Sequence, residues 1–134
     1  MTGHGAEDQA AEQAIALAHR LMDAAREGNG ATLRKYLDAG VPATLTNAAG
    51  DSLLMLAAYN GHASVVEDLL ARGADANTAN DRGQTPLAGA VFKGYSDVTR
   101  VLVDAGADPD AGTPSARDAA TMFGRSELLE LFSR

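Results

Sequence analysis

Asn80-Asp81-Arg82-Gly83-Gln84-Thr85-Pro86-Leu87 lies 33 residues after Asn47-Ala48-Ala49-Gly50-Asp51-Ser52-Leu53-Leu54, and the two octets share Asn, Gly and Leu at matching places. The offset holds outward from there. Gly61-His62 falls over Gly94-Tyr95, and Val65, Leu69 and Leu70 fall over Val98, Leu102 and Val103. Gly73-Ala74-Asp75 falls over Gly106-Ala107-Asp108. One step back, Leu21, Ala24-Ala25, Gly28 and Gly40 match Leu54, Ala57-Ala58, Gly61 and Gly73. One step forward, after a deletion of three residues, Ala120, Gly124, Leu128 and Leu131 match Ala90, Gly94, Val98 and Val101. A fixed period of this length marks a stack of repeated units. Four follow, at about 14–46, 47–79, 80–112 and 113–134. The outer two diverge, as end caps with one solvent-facing side do.

Each unit reads as two short helices. Leu53, Leu54, Ala57 and Ala58 recur at helical spacing and predict a first helix with one buried face. Gly61 ends it in the left-handed conformation that glycine adopts cheaply. Val65, Val66, Leu69 and Leu70 predict a second helix, which Gly73 ends. Residues 75–83 are turn chemistry leading to the next unit. Thr85 is placed to cap the following helix, with Pro86 in its first turn, where a missing N–H costs little. One such pair cannot bury its apolar face by itself. Small residues on the first helices (Ala57, Ala58, Ala90) allow neighbours to approach and build a shared core. The run from Ala6 to Arg26 predicts a first helix extended toward the N-terminus, and Ser126–Phe132 a closing helix.

Composition agrees and narrows the function. The chain has 134 residues, which suits one domain over residues 6–134 behind a frayed tail over residues 1–5. It is 46% hydrophobic but only 4% aromatic, so its apolar mass is mainly Ala, Leu and Val. The net charge of −7, with Lys and Arg scattered, speaks against nucleic acid and anionic membranes as partners. No cysteine is present, which removes disulfides, thiolate catalysis and cysteine zinc sites. The acidic start is followed by no apolar run, and no stretch approaches the ~20 apolar residues that span a bilayer. The expectation is a cytoplasmic, monomeric protein.

Three blocks carry a resemblance. Gly83-Gln84-Thr85-Pro86-Leu87, Leu56-Ala57-Ala58-Tyr59-Asn60-Gly61-His62 and Leu69-Leu70-Ala71-Arg72-Gly73-Ala74-Asp75-Ala76-Asn77 resemble the signature of the ankyrin repeat family. The likeness covers the two central units almost fully and the outer two loosely. It implies an all-α solenoid of four helix-turn-helix units with β-hairpin-like loops, the outer two units acting as caps. The chain departs from the pattern at Ser52-Leu53, where Thr-Pro is usual, and at Tyr95, where His is usual. It also departs at Val41-Pro42-Ala43, and at Ala111-Gly112-Thr113-Pro114, where the hairpin is shortened.

The resemblance also implies where a partner would bind. In such proteins the last turn of each first helix faces the concave side, and the hairpin tips join it. Those turns hold Arg26-Glu27, Tyr59-Asn60, Phe92-Lys93 and Met122-Phe123, with Met22 and Met55 one turn earlier. The tips hold Ala48-Ala49-Asp51 and Asp81-Arg82-Gln84. Tyr59, Phe92, Met55, Met122 and Phe123 as apolar anchors, rimmed by Asn60, Asp81, Arg82, Gln84 and Lys93, read as a binding patch. The competing reading is that these side chains pack on one another and close the edge of the core.

Catalytic and ligand chemistry find little support. His62, in this family, usually hydrogen-bonds within the turn; His4 and His19 stand apart from it without metal-ligand spacing. Asp108 and Asp110, like Asp75 and Asn77, repeat from unit to unit and so read as turn formers. The glycines form no phosphate loop, and no serine sits in a nucleophile elbow. The expected function is a non-catalytic module, without cofactor or metal, that binds a protein as adaptor, inhibitor or protector. The overall acidity suggests a partner of basic character. The alternatives are a self-assembling structural protein and, further off, a small enzyme or ligand-binding protein.

Overall fold

In a computed structural model, which describes the backbone of residues 2–133 and the side chains of residues 9–133, the helices fall into four antiparallel pairs. The first is α1 (Thr2–Glu27) with α2 (Gly30–Asp38), and the second α3 (Leu53–Tyr59) with α4 (Ala63–Ala71). The third is α5 (Pro86–Lys93) with α6 (Ser96–Asp104), and the fourth α7 (Ala116–Met122) with α8 (Ser126–Leu131). First helices pack in the series α1, α3, α5, α7, while α4, α6 and α8 form a second layer. This is the all-α solenoid that the period predicts. α1 begins at Thr2, ahead of the expected Ala6. The tail expected over residues 1–5 otherwise falls on Met1 and on side chains outside the described residues.

The first-helix layer is held by small residues. Ala24, Ala57, Ala90 and Ala120 occupy one repeat position and are all essentially inaccessible. Leu21, Leu54 and Leu87 fill the space beside them, and Val66, Leu69, Val98 and Leu102 close the core from the second helices. Each short first helix has a hydroxyl cap. Ser52 Oγ accepts from the Met55 N–H at 3.0 Å, Thr85 Oγ1 from Ala88 at 3.1 Å and Ser115 Oγ from Asp118 at 3.1 Å. The sequence reading anticipates Thr85; the same device serves where Thr-Pro is absent. At the other end of α5, Gly94 takes φ of +79° and its N–H bonds to the carbonyls of Ala90 and Val91.

The connecting loops turn back as hairpins, with a single isolated antiparallel bridge, Thr46–Ser52, among the described residues. Side-chain amides organise them. Asn47 Oδ1 accepts from the N–H groups of Ala49 and Asp51, at 3.0 and 2.9 Å. Asn80 Oδ1 accepts from Arg82 and Gln84 in the same way, both at 3.0 Å. Successive hairpins then bond to one another: Asp81 N–H donates to Ala49 O, and Thr113 N–H to Gly83 O, both at 3.0 Å. The Asp108 and Asp110 positions are turn formers too. Asp108 Oδ1 accepts from the Asp110 N–H at 2.9 Å, and Asp110 accepts from Arg117 Nε at 2.7 Å. That hydrogen bond from Arg117 holds the Asp110 carboxyl below the usual carboxylate range.

If the alanine column sets helix spacing, Ala57→Leu overpacks the contact and lowers stability by about 1–3 kcal/mol. Ala49→Leu, at an exposed hairpin tip, shifts it by no more than about 0.5 kcal/mol. Urea denaturation of both variants beside the parent checks the contrast.

Candidate functional site

The exposed large apolar residues gather on one side. Tyr59 is 38% exposed, Phe92 46%, Phe123 47% and Met122 69%; Ile15 on α1 is the remaining one among the described residues. Tyr59 and Met122 end α3 and α7, Phe92 is the last residue but one of α5, and Phe123 caps α7. The repeat thus places them at the same end of successive first helices. Two of them are in contact, and cations stand over two of the rings. Phe92 and Phe123 meet edge to face at 5.2 Å between centroids. Lys93 Nζ stands 5.1 Å from the Tyr59 ring centre, and the Arg125 guanidinium 5.8 Å from that of Phe123.

Met55 departs from the sequence expectation of an exposed anchor. It is buried, at 4% exposure, because it lies one turn inward on α3 and faces α5. It nevertheless walls a cavity of about 150 Å³ between the second, third and fourth units, together with Tyr59 and Phe92. Ala88, Gly89 and Ala119 form its floor; Gln84, Thr85 and Pro114 complete the lining. A neighbouring cavity of about 250 Å³ shares Met55, Tyr59 and Gln84 and adds Asp51, Leu56, Asn80 and Arg82. Tyr59 is the partition between the two.

The floor is where sequence reasoning falls short. The repeat position that holds Leu56 holds Gly89 in the third unit and Ala119 in the fourth, and the Met55 position holds Ala88. Comparing volumes down the aligned columns exposes this loss of side chain; looking for chemical groups does not. Gly89 sits inside α5, where glycine costs about 0.5–1 kcal/mol relative to alanine. Its reason is close approach: a Cβ there would stand 2.8 Å from Tyr59 Cδ2.

The polar residues of the predicted rim divide. Asn60 is exposed, but its Nδ2 donates to Leu56 O at 2.7 Å and so helps to close α3. Gln84 is half-buried, with Oε1 accepting from Asn80 Nδ2 at 2.8 Å. Asp81 is exposed and leans on the neighbouring hairpin at Gly50. Arg82 and Lys93 are exposed, and neither takes part in an ion pair among the described residues.

His62 corrects a further expectation. Its Nε2 does not bond within its own turn; it reaches back to the Arg26 carbonyl of the preceding unit at 2.7 Å. The ring lies against Gly28, where any Cβ would collide with it. Arg125, at the equivalent place in the last unit, donates from Nη2 to Phe92 O at 3.1 Å and packs on Gly94. Tyr95 packs on Gly61 by the same geometry. The residue after each turn glycine is therefore a clasp onto the previous turn, with three different chemistries.

A sequence model of ankyrin repeats in three copies matches residues 21–113. The chain belongs to the ankyrin repeat family. Over 38 residues, 28% of its length, it is 53% identical to an ankyrin repeat protein of Pseudomonas aeruginosa. That match spans 22% of the relative. Ankyrin repeats are in general modules of protein–protein interaction and are generally not enzymes. In this ankyrin repeat protein the fourth unit, α7–α8, lies beyond the matched residues yet packs on α5 and α6 as the others pack on their neighbours. No helix of the described residues is long and apolar enough to cross a membrane.

The clasps make a quantitative expectation. His62→Ala removes the bond to Arg26 O and lowers stability by about 1 kcal/mol, and Arg125→Ala does the same through Phe92 O. Denaturant midpoints with unchanged slopes check both.

Proposed function

We propose that this protein is a non-catalytic, stoichiometric binding module that acts as a cytoplasmic monomer. It grips a protein partner with the concave row Tyr59, Phe92, Met122 and Phe123, and orients it with Arg82 and Lys93 beside the hairpin tips. The observation that carries the reading is the contiguity of this row. Four large apolar side chains at the ends of successive first helices are each more than a third exposed, and two of them, Tyr59 and Phe92, line one cavity. Scattered single apolar residues are ordinary on a surface; a contiguous set with a polar rim is the usual anatomy of an interface. The edge-to-face pair of Phe92 and Phe123 supports it further, because aromatic side chains already held by neighbours lose less freedom on binding. Asn60 and Gln84 contribute through the scaffold, since their amides bond to Leu56 O and Asn80.

The test replaces Tyr59 and Phe92 together with Ala. Both are partly exposed and lie outside the alanine column, so the helical circular dichroism should stay as it is. Capture of cellular partners by the immobilised protein should fall at least tenfold, the effect of one or two interface anchors at ~1–2 kcal/mol each. An undiminished partner set removes the concave row from the function. Size-exclusion mass separates the rival role: a stable oligomer whose assembly hides Tyr59 and Phe92 would make the row a self-assembly surface.

A further inference from the structure

The cavity beneath Tyr59 is specific to one place in the stack. Where the second unit has Met55 and Leu56, the third has Ala88 and Gly89, and the fourth has Ala119. These small residues line about 150 Å³ beside the Tyr59 ring, which itself covers Gly89. An apolar cavity of that size accepts a benzene-sized group. The Tyr59 ring bounds it on one side and Phe92 lies in the opposite first helix turn, so a flat or branched apolar group entering between them meets aromatic faces.

Two cations stand near the opening, beside the carboxylates of Asp51 and Asp81. Lys93 Nζ lies 5.1 Å from the Tyr59 ring centre, and Arg82 lines the adjoining cavity that shares Tyr59. The ion pairs among the described residues use Arg26, Arg72 and Arg117, which leaves Arg82 and Lys93 uncommitted. Asp51, which also lines the adjoining cavity, is held in place by Asn80 Nδ2 at 2.8 Å and Asn47 Nδ2 at 3.4 Å, so its carboxylate is fixed on the hairpin while Arg82 and Lys93 stand outside any ion pair among the described residues. Gln84 accepts from Asn80 through Oε1 and keeps its Nε2 to donate to a main-chain carbonyl. The net charge of −7 suggests a basic partner. At ~0.15 M salt the screening length is about 8 Å, so charges at the opening outweigh the distant ones once a segment is seated.

We propose that this cavity takes one phenylalanine- or leucine-sized side chain from an extended segment of the partner protein, with acidic residues on both sides of that anchor. The inference rests on the concave face being the gripping surface, and it names what that surface selects.

The test titrates the full-length, isotope-labelled protein with three capped pentapeptides and follows amide NMR signals. One has a central phenylalanine between pairs of glutamates, the second has lysines instead of glutamates, and the third has glutamates around a central alanine. The first should move the backbone amide signals of Ala88 and Gly89 and the side-chain amide signal of Gln84, and bind about threefold or more tightly than the second, as exposed charge pairs allow. The third should leave them in place. Gly89→Leu restores the bulk found at Leu56 and should abolish the response. Arg82→Glu with Lys93→Glu, which leaves the cavity untouched, should reverse the order of the first two peptides. Equal or tighter binding of the lysine peptide, an alanine peptide as good as the phenylalanine one, or no shift with any peptide at millimolar concentration overturns the proposal. If Gly89→Leu fails to fold, the charge-reversed variant decides. Partner capture lost in the Tyr59→Ala/Phe92→Ala protein but kept in Gly89→Leu would remove the cavity and leave the gripping face standing. Capture kept in both removes the gripping face itself.

Discussion

The contact on which the rest of the structure depends is that between successive first helices at Ala24, Ala57, Ala90 and Ala120. A helix of seven or eight residues, such as α3 or α5, is too short to persist in water from its own hydrogen bonds. It persists because its face is covered on both sides by equally short neighbours. Alanine permits that covering without pushing the backbones apart, and Leu21, Leu54 and Leu87 fill the remaining space. Each unit is thereby a structural requirement of the next.

Polar groups reinforce this series without adding a second core. The hydroxyl caps at Ser52, Thr85 and Ser115 satisfy N–H groups at the helix starts. The amides of Asn47 and Asn80 shape the hairpins, and the clasps of His62 and Arg125 cross from one turn to the previous one. All of these bonds are directional. They add little free energy individually, but they set the angle at which units lean, and so the position of Tyr59 relative to Phe92. Asn60 and Gln84 belong to this group, which is why residues that resemble a binding rim turn out to brace the scaffold.

The cavity beside Tyr59 arises from an omission. Repeats identical in volume would present a filled edge; this stack has only methyl groups at Ala88 and Ala119 and none at Gly89, and a cavity lies beside Tyr59. The glycine is costly to its own helix, and the aromatic ring that leans on it would collide with any side chain there. The electrostatics are equally local. Within this acidic chain, Arg82 and Lys93 stand beside the apolar opening outside any ion pair among the described residues.

The sequence by itself determined the architecture: the period, the helix pairs, the capping by Thr85, the turn role of Gly61 and the alignment of Tyr59, Phe92, Met122 and Phe123. These follow from local rules, since helix ends, turns and one-sided helices are written in residues a few positions apart. Repetition then converts local order into a stack, and the exposed row follows from arithmetic. Only the tertiary structure decided that Met55 is a wall and not an anchor. It also decided that His62 reaches across to Arg26, that Asn60 is spent on its own helix, and that Gly89 marks a cavity. Those are properties of packing between units, where the distance of closest approach depends on side chains 30 or so residues apart, and no local rule carries that distance.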